Sequence, residues 1–162
     1  MVDPVEQIVV ERADAVDSQR ILRAYLDDVV SRYYGRPVTH DEMTAALREF
    51  PGDDLIEPDG VLLVARVDGR PSGCVGLRLL PDDVGEVTRL FVVRAARGRS
   101  LGLRLMQALE AAARDRGLNM LRLDTRADLV EARRLYARLG YREVAAFNDG
   151  QYAEHWFEKT LL

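Results

Sequence analysis

The segment LFVVRAARGRSLGLRLMQALEAAARDRG, Leu90 to Gly117, constrains the fold more than any other part of the chain. LFVV is a short apolar run of strand-forming residues. From Leu101 onward, Leu101, Leu105, Leu109 and Ala112 recur at helical spacing until Gly117 stops the pattern. A buried strand therefore passes into an amphipathic helix through RGRSLG, which is short, rich in small residues and basic. Five arginines (Arg89, Arg94, Arg97, Arg99 and Arg104) fall in this region with no carboxylate among them. The first turn of a helix presents unpaired N–H groups and the positive end of the helix dipole. A strand, turn and helix start surrounded by arginine thus predicts a site for a polyanion.

Composition narrows what that polyanion is. The chain has 162 residues, 48% of them hydrophobic, enough for one domain with a real core over residues 1–162. Its 23 basic and 27 acidic side chains leave a net charge of −4. Nucleic-acid binding needs a broad basic surface, so a small anionic ligand suits the local arginines better than a duplex. Cys74 is the single cysteine, which excludes an internal disulfide and disfavours a cysteine metal site. The start, MVDPVEQIVVERAD, flanks a short apolar run with acids and does not read as a signal peptide. No run approaches the length of a membrane span. The expectation is a soluble, cytoplasmic protein with neither a membrane nor a nucleic-acid partner and no metal.

Along the chain, VEQIVVERA reads as a first strand. Asp17 and Ser18 are expected to cap a helix whose apolar stripe is Ile21, Leu22, Tyr25, Leu26, Val29 and Tyr33. Thr39 and Glu42 have the spacing of a capping box for a second helix, DEMTAALREF, which Pro51-Gly52 ends. Asp68-Gly69 separates two β-rich runs as a hairpin turn, and PDDVG leads into EVTRLFVV. After the arginine-flanked helix come a strand (NMLRLDT), a helix (VEARRLYARLG) and two final strands (YREVAAF and HWFEKTLL). The predicted order is β-α-α-β-β-β-α-β-α-β-β. Such a mixture implies an α/β (α+β) fold, a central mixed sheet with helices on its faces.

A Walker loop requires Gly-Lys-Ser/Thr, which RGRSLG lacks, and the spacing of Gly98 and Gly102 does not fit a dinucleotide fingerprint. The pattern that fits is Arg/Gln-x-x-Gly-x-Gly/Ala, with Arg97, Ser100 and Gly102 at its three defined positions. EARRLYARLGYRE adds a second landmark, Ala-x-x-Leu-Tyr-x-x-x-Gly-Phe/Tyr, one helix and one strand further on. In these two landmarks the chain resembles the GNAT family of N-acetyltransferases over nearly its whole length. That resemblance implies a mostly antiparallel sheet with helices on both faces, and acetyl-CoA as cosubstrate. It implies that backbone N–H groups of Gly98, Arg99, Ser100, Leu101, Gly102 and Leu103 hold a pyrophosphate, with Arg97, at the motif's first position, also on the cofactor. The edge of Leu90, Phe91 and Val92 would pair with pantetheine amides, in a slot opened by a bulge that splays this strand from the next. The sequence departs from the family at Ser100, where glycine is preferred and where serine is expected to lose access to positive φ. It departs again at Leu129, where many members carry a cofactor-contacting Asn. Asp128 beside it is read as a helix cap.

Acetyl transfer sets two proton demands: the amine must lose a proton and the departing thiolate must gain one. The resemblance implies Tyr136 as general acid, attack by the amine being direct. A phenol with a pKa of about 10 keeps its proton at neutral pH. Periodicity alone leaves Tyr136 open as core filling beside Leu135. Glu86 is the base candidate, against the alternative of an exposed carboxylate at a strand start. Alternation would place Glu86, Thr88, Leu90 and Val92 on one face. His155 is a second base candidate, His40 reads as solvated, and Cys74 as a buried inert thiol. The acceptor is expected to be a small-molecule amine. The resemblance places Tyr25, Tyr33, Tyr34 and Phe50 around it with Arg32 and Arg36 free to pair with a carboxylate. The alternative is that Tyr25 and Tyr33 lie on the buried stripe and Arg36 beside Pro37 is solvated. A non-catalytic acyl-CoA-binding or regulatory module and a protein N-acetyltransferase stand as alternatives. Monomer and homodimer both stay open.

Overall fold

The computed structural model describes residues 3–161. Met1, Val2 and Leu162, which fall within the stretches read above as the N-terminus and the last strand, lie outside the described residues. Strands β1 (Glu6–Glu11), β2 (Gly60–Val67), β3 (Arg70–Leu80), β4 (Val84–Val92), β5 (Met120–Thr125), β6 (Arg142–Val144) and β7 (His155–Thr160) form one sheet. Their order across it is β1-β2-β3-β4-β5-β7-β6. Helices α1 (Val16–Tyr34), α2 (His40–Glu49), α3 (Leu101–Asp115) and α4 (Val130–Arg138) complete the order that the periodicities predict. All neighbouring strands run antiparallel except β4 and β5, which are parallel.

Helices cover both faces. On one, Leu101, Leu105, Met106 and Leu109 of α3 and Tyr136 of α4 pack on Leu77, Leu121, Leu123 and Phe157. On the other, Ile21 and Leu22 of α1 cover Leu62, Val64 and Cys74, together with Leu55 from a short 3-10 turn at Asp53–Leu55. Helix α2 packs on α1 through Leu26, Met43 and Ala46. Because β2 is covered on both sides, it reads as a continuous apolar run, GVLLVA, rather than an alternating one. Full burial of each such aliphatic side chain contributes about 1.5–3 kcal/mol. In α3 the buried position is Ala113 rather than Ala112, and Glu110, also buried, pairs with Lys159 of β7.

The capping box of α2 forms as its spacing predicts, with Thr39 Oγ1 accepting from the Glu42 N–H and Glu42 accepting from the Thr39 N–H. The Asp68-Gly69 turn places both residues at positive φ, 50° and 79°, the geometry that matches strand twist in a tight hairpin. The cap expected for α1 does not form. The helix begins at Val16 after Ala15, Ser18 is buried without a hydrogen-bond partner, and Asp17 pairs with Arg66 of β2 instead. A nearby arginine offers this carboxylate a charge-assisted bond, which outweighs a neutral backbone N–H.

Two irregularities in β4 create the site. The register between β3 and β4 shifts between Cys74 and Gly76, and Arg89 of β4 takes φ 56°. Parallel pairing with β5 is confined to Val84, Glu86 and the residue between them, opposite Met120 to Arg122. Beyond Glu86 the strands part. The bulge also overturns the simple alternation. Thr88 lies on the Leu55 side of the sheet, whereas Leu90 and Val92 pack with the α3 core, so Glu86, Thr88, Leu90 and Val92 do not share a face. One extra residue in a strand inverts the facing of everything after it.

The 3-10 turn that supports this region leaves no room at Gly60. A Cβ there would lie 2.1 Å from the Asp54 carbonyl oxygen and 2.8 Å from that of Leu77, both backbone. Gly60→Ala is expected to lower the unfolding free energy by about 1–3 kcal/mol or more, read from the urea midpoint at constant m-value. An unchanged midpoint would show that the turn yields freely.

Candidate active site

After β4 the chain makes a 3-10 turn, Arg94–Ala96, and enters α3 through Gly98 and Ser100. Both are left-handed, with φ of 85° and 59°. The N–H groups from Gly98 through Leu103 meet no acceptor among the described residues, and the Arg104 N–H makes the first α3 bond, 3.1 Å to the Ser100 carbonyl. This is a consecutive run of free donors at the positive end of a helix dipole. Ser100 therefore does adopt positive φ, contrary to the expectation from its side chain. The turn into α3 imposes that conformation, and a non-glycine residue bears it at a cost of about 1–2 kcal/mol. Its hydroxyl makes no capping bond.

The five arginines do not form one cluster. Glu6 of β1 pairs with both Arg99 and Arg104. Arg97 donates from Nε to the Val92 carbonyl at 3.1 Å. Arg94 is exposed, and Arg89 is buried on the other side of β4, 3.4 Å from Asp54. The free donors of the turn are thus its backbone N–H groups, since the guanidinium groups of Arg97, Arg99 and Arg104 are already engaged.

Between the parted β4 and β5 opens a cavity of about 950 Å³. It is lined by β4 from Glu86 to Val92, by the α3 turn, and by residues of α1, α2, α4 and the loop before β7. Tyr136 stands in its wall, 6% exposed, with its ring near Tyr141 and Phe157. Its hydroxyl makes no hydrogen bond to a described residue. Burial first, then the neighbouring Tyr25 and Asp124, raise this phenol above the ordinary tyrosine range. Glu86 lies at the point where the strands part and accepts from Arg78 at 2.7 Å through Oε1. Arg78 in turn reaches Asp54 at 3.1 Å.

The other sequence candidates are more dispersed. His155 sits 3.1 Å from Glu143 and does not line the cavity, nor does His40. Cys74 is buried under α1, its thiol directed at the Arg89 carbonyl, and burial pushes its pKa up to about 12. Tyr33 is 54% exposed at the cavity mouth instead of buried on the α1 stripe, edge-on to Tyr34 and Tyr152. Arg36 is engaged by Glu42 at 2.8 and 3.0 Å, and Arg36, with the Thr39 backbone second, holds that carboxyl down at about 2. Arg32 bridges to Glu131 of α4 at 3.0 Å. Both arginines expected to read a carboxylate therefore already hold one.

Asp124, at the end of β5, lines the cavity and accepts from Asn148 at 2.8 Å; the sequence reading missed it. Its only signal is an acid near the end of a strand, MLRLDT, that also carries Arg122, and it gains meaning once β4 is known to part from β5. Tyr152 was missed as well, because the loop that carries it to the cavity has no periodicity. Among the described residues no group of three or more His, Cys, Asp or Glu side chains gathers as a metal site requires. Among the described residues no helix is long and apolar enough to cross a membrane.

A model of the acetyltransferase (GNAT) family matches residues 23–141, which include the parted strands, the α3 turn and Tyr136. The chain belongs to the GNAT family. An IAA acetyltransferase from Azospirillum brasilense is 36% identical over 94 residues, 57% of this chain and 61% of the relative, so the chain spans under two thirds of that relative's length. An aminoalkylphosphonate N-acetyltransferase from Salmonella typhimurium is 27% identical over 103 residues, 60% of this chain and 67% of the relative. A Klebsiella pneumoniae structure assigned as an acyl-CoA N-acyltransferase superimposes with a TM-score of 0.76 at 26% identity, over 98% of this chain and 99% of that one. The PaiA N-acetyltransferase of Thermoplasma acidophilum, solved with coenzyme A, has the same fold, with a TM-score of 0.71 at 16% identity over 96% and 99% of the two chains.

Within this GNAT fold, the residue expected to cap α4 does something else. Leu129 occupies the cap position and Asp128 is held in a two-point pair by Arg126, at 2.9 Å for each contact. The guanidinium two residues away competes successfully for the carboxylate. Ser100 permits a direct test of how the GNAT turn is held. Ser100→Gly removes the left-handed strain but adds chain entropy to the unfolded state, so a net gain of up to about 1 kcal/mol is expected. Thermal unfolding measures it, and a loss of stability would mean that the serine side chain contributes to the turn.

Proposed function

We propose that the chain is an N-acetyltransferase that moves the acetyl group of acetyl-CoA to a primary amine of a small molecule. The observation that carries this reading is the unbroken run of free N–H groups from Gly98 to Leu103 at the mouth of the cavity. Such a run suits a pyrophosphate, because backbone donors and the helix dipole both favour multiple negative charge. Gly98 and Gly102 keep side chains away from it, and Arg97 and Arg99 border it. The β4 edge from Leu90 to Val92, unpaired toward β5, has N–H and C=O groups for an extended amide chain. The names of the relatives, which include an aminoalkylphosphonate N-acetyltransferase, support a small acceptor.

Acetyl-CoA supplies an activated thioester carbonyl. The residues then have separate tasks. Glu86, with Arg78 holding one oxygen, takes the proton of the attacking amine, directly or through a water. The C–N bond forms, the C–S bond breaks, and the Tyr136 hydroxyl donates to the departing sulfur. A thiol titrates near 8.5 and a phenol near 10, so a phenol raised further stabilises the sulfur first by hydrogen bonding. The nitrogen sheds a second proton as the amide forms, and that proton restores the Tyr136 hydroxyl. Holding both reactants in one cleft contributes through orientation.

Tyr136→Phe is expected to reduce kcat by roughly 10²–10⁴ while leaving the thermal stabilisation by CoA intact. Near-full turnover would return Tyr136 to a packing role. Since burial favours the neutral phenol, an alkaline loss of kcat caused by Tyr136 must lie above about pH 10. A Tyr136-dependent limb near pH 8 would contradict this environment. Glu86→Gln should lower kcat/KM by roughly 10²–10⁴, and an unchanged kcat/KM would assign the proton to water or to Asp124. Acetyl-CoA and CoA should raise Tm where NAD and ATP at equal concentration do not. Equal stabilisation by NAD would sink the cofactor assignment. Acetylation confined to peptides or proteins would redirect the acceptor, and CoA binding with no thiol release from any amine would leave a binding module.

A further inference from the structure

Four arginines line the cavity, and Arg89 differs from the other three. Arg32 is held by Glu131 and by the Asp128 carbonyl at 3.0 Å. Arg97 is bonded to the Val92 carbonyl, and Arg126 to Asp128 and to the Val29 carbonyl at 2.8 Å. The Arg89 side chain is 7% exposed and makes no hydrogen bond to any described residue. Its nearest carboxylate oxygen, Asp54 Oδ1, lies 3.4 Å away outside hydrogen-bond geometry, and that oxygen itself has no hydrogen-bond partner. The other oxygen of Asp54 is 3.1 Å from Arg78. A buried guanidinium has five donors, and leaving them unmade costs far more than leaving them in water.

The position of Arg89 indicates what completes it. Arg89 is the bulge residue of β4, and its side chain lies toward Asp54, on the α1 side of the sheet and away from the α3 core. Tyr25 of α1, edge-on to Phe91 at 6.2 Å, is close enough for the Arg89 charge to act on its hydroxyl. The free N–H run lies beyond the end of β4, next to the core side. The cavity therefore offers two places for negative charge: a backbone cradle at one end and a single buried guanidinium under α1. We infer that Arg89 is the anion-binding residue of the acceptor site and that the acceptor is a small amine carrying an acid group, a carboxylate or a phosphonate. This rests on the acetyltransferase reading above. Both acids form two-point contacts with a planar guanidinium, which a lysine ammonium does not. With Arg89 turned to the acceptor, Arg78 still bridges Asp54 and Glu86, so the base candidate keeps its partner.

The test uses the purified chain with acetyl-CoA and measures thiol release for α-amino acids, their methyl esters and aminoalkylphosphonates. At least one free acid should exceed its ester by about tenfold or more in kcat/KM, and comparison of the amino acids with the phosphonates identifies the acid group. Arg89→Met should raise KM for that acid at least about tenfold. The KM for acetyl-CoA should stay within about twofold, the acid-over-ester ratio of kcat/KM should fall toward one, and Arg89→Lys should recover part of the loss. Esters accepted as well as acids, or an equal loss for both in Arg89→Met, overturn the assignment while leaving the acetyltransferase reading intact. If no amine releases thiol, it is that reading that fails. Calorimetric titration of the same acids and esters into the CoA-saturated protein then decides Arg89. Acid-selective binding lost in Arg89→Met upholds its role, and absence of acid-selective binding rejects it. Retained stabilisation by CoA shows that each variant is folded.

Discussion

The structure depends on a parallel pairing that stops early. β4 and β5 share a ladder only from Val84 to Glu86, and every feature of the candidate site follows from their parting beyond it. Strand edges left unpaired inside a protein carry a cost for each unsatisfied N–H and C=O. What keeps them apart is packing from both faces. Leu105, Met106 and Leu109 of α3 and Tyr136 of α4 fill one side, while α1 closes the other through Leu22, Tyr25 and Leu26. The bulge at Arg89 adds the local twist that turns β4 away. The cavity is thus held open by packing on both faces of the sheet.

Much of this was legible in the residues, because the signals are local. The order of elements follows from apolar periodicity, the α2 cap from Thr39 and Glu42, and the hairpin from Asp68-Gly69. The turn before α3 was legible because glycines, arginines and the helix start coincide within a few residues. The errors come from interactions across the chain. Asp17 and Asp128 look like caps in isolation, yet each finds an arginine, one of them on another strand. The facing of Leu90 and Val92 failed because a bulge leaves no compositional mark: Arg89 is an ordinary residue in an extraordinary conformation. Ser100 failed in the opposite sense, since the side chain predicts what a residue prefers and not what the closure of a turn demands.

The arginines show the same limit for charge. A run of cations in sequence reads as one patch, but a strand, a turn and a helix point their side chains in different directions. Glu6, remote in sequence, pairs with two of them, and Arg36 and Arg32 are likewise held by Glu42 and Glu131. Pairing at the surface contributes little stability, about 0–1 kcal/mol per pair. It does fix which cations stay available. Among the arginines that line the cavity, Arg89 is the buried one that makes no hydrogen bond to a described residue, and that makes it the informative one.

The two proposed anion sites differ in how they tolerate change. Recognition by backbone N–H groups requires a conformation, and many sequences adopt it. Ser100 in place of glycine leaves the run of donors from Gly98 to Leu103 intact. Recognition by one buried side chain requires that residue, its burial and the carboxylates that balance it. Asp54 and Glu86 balance Arg78 and Arg89 in one network that reaches from the proposed base to the proposed acceptor anchor. A change at any of these four residues alters the charge felt by the other three, since burial weakens screening between them. Cofactor binding built on backbone can therefore persist while sequence drifts. Acceptor choice built on this network should shift with single substitutions.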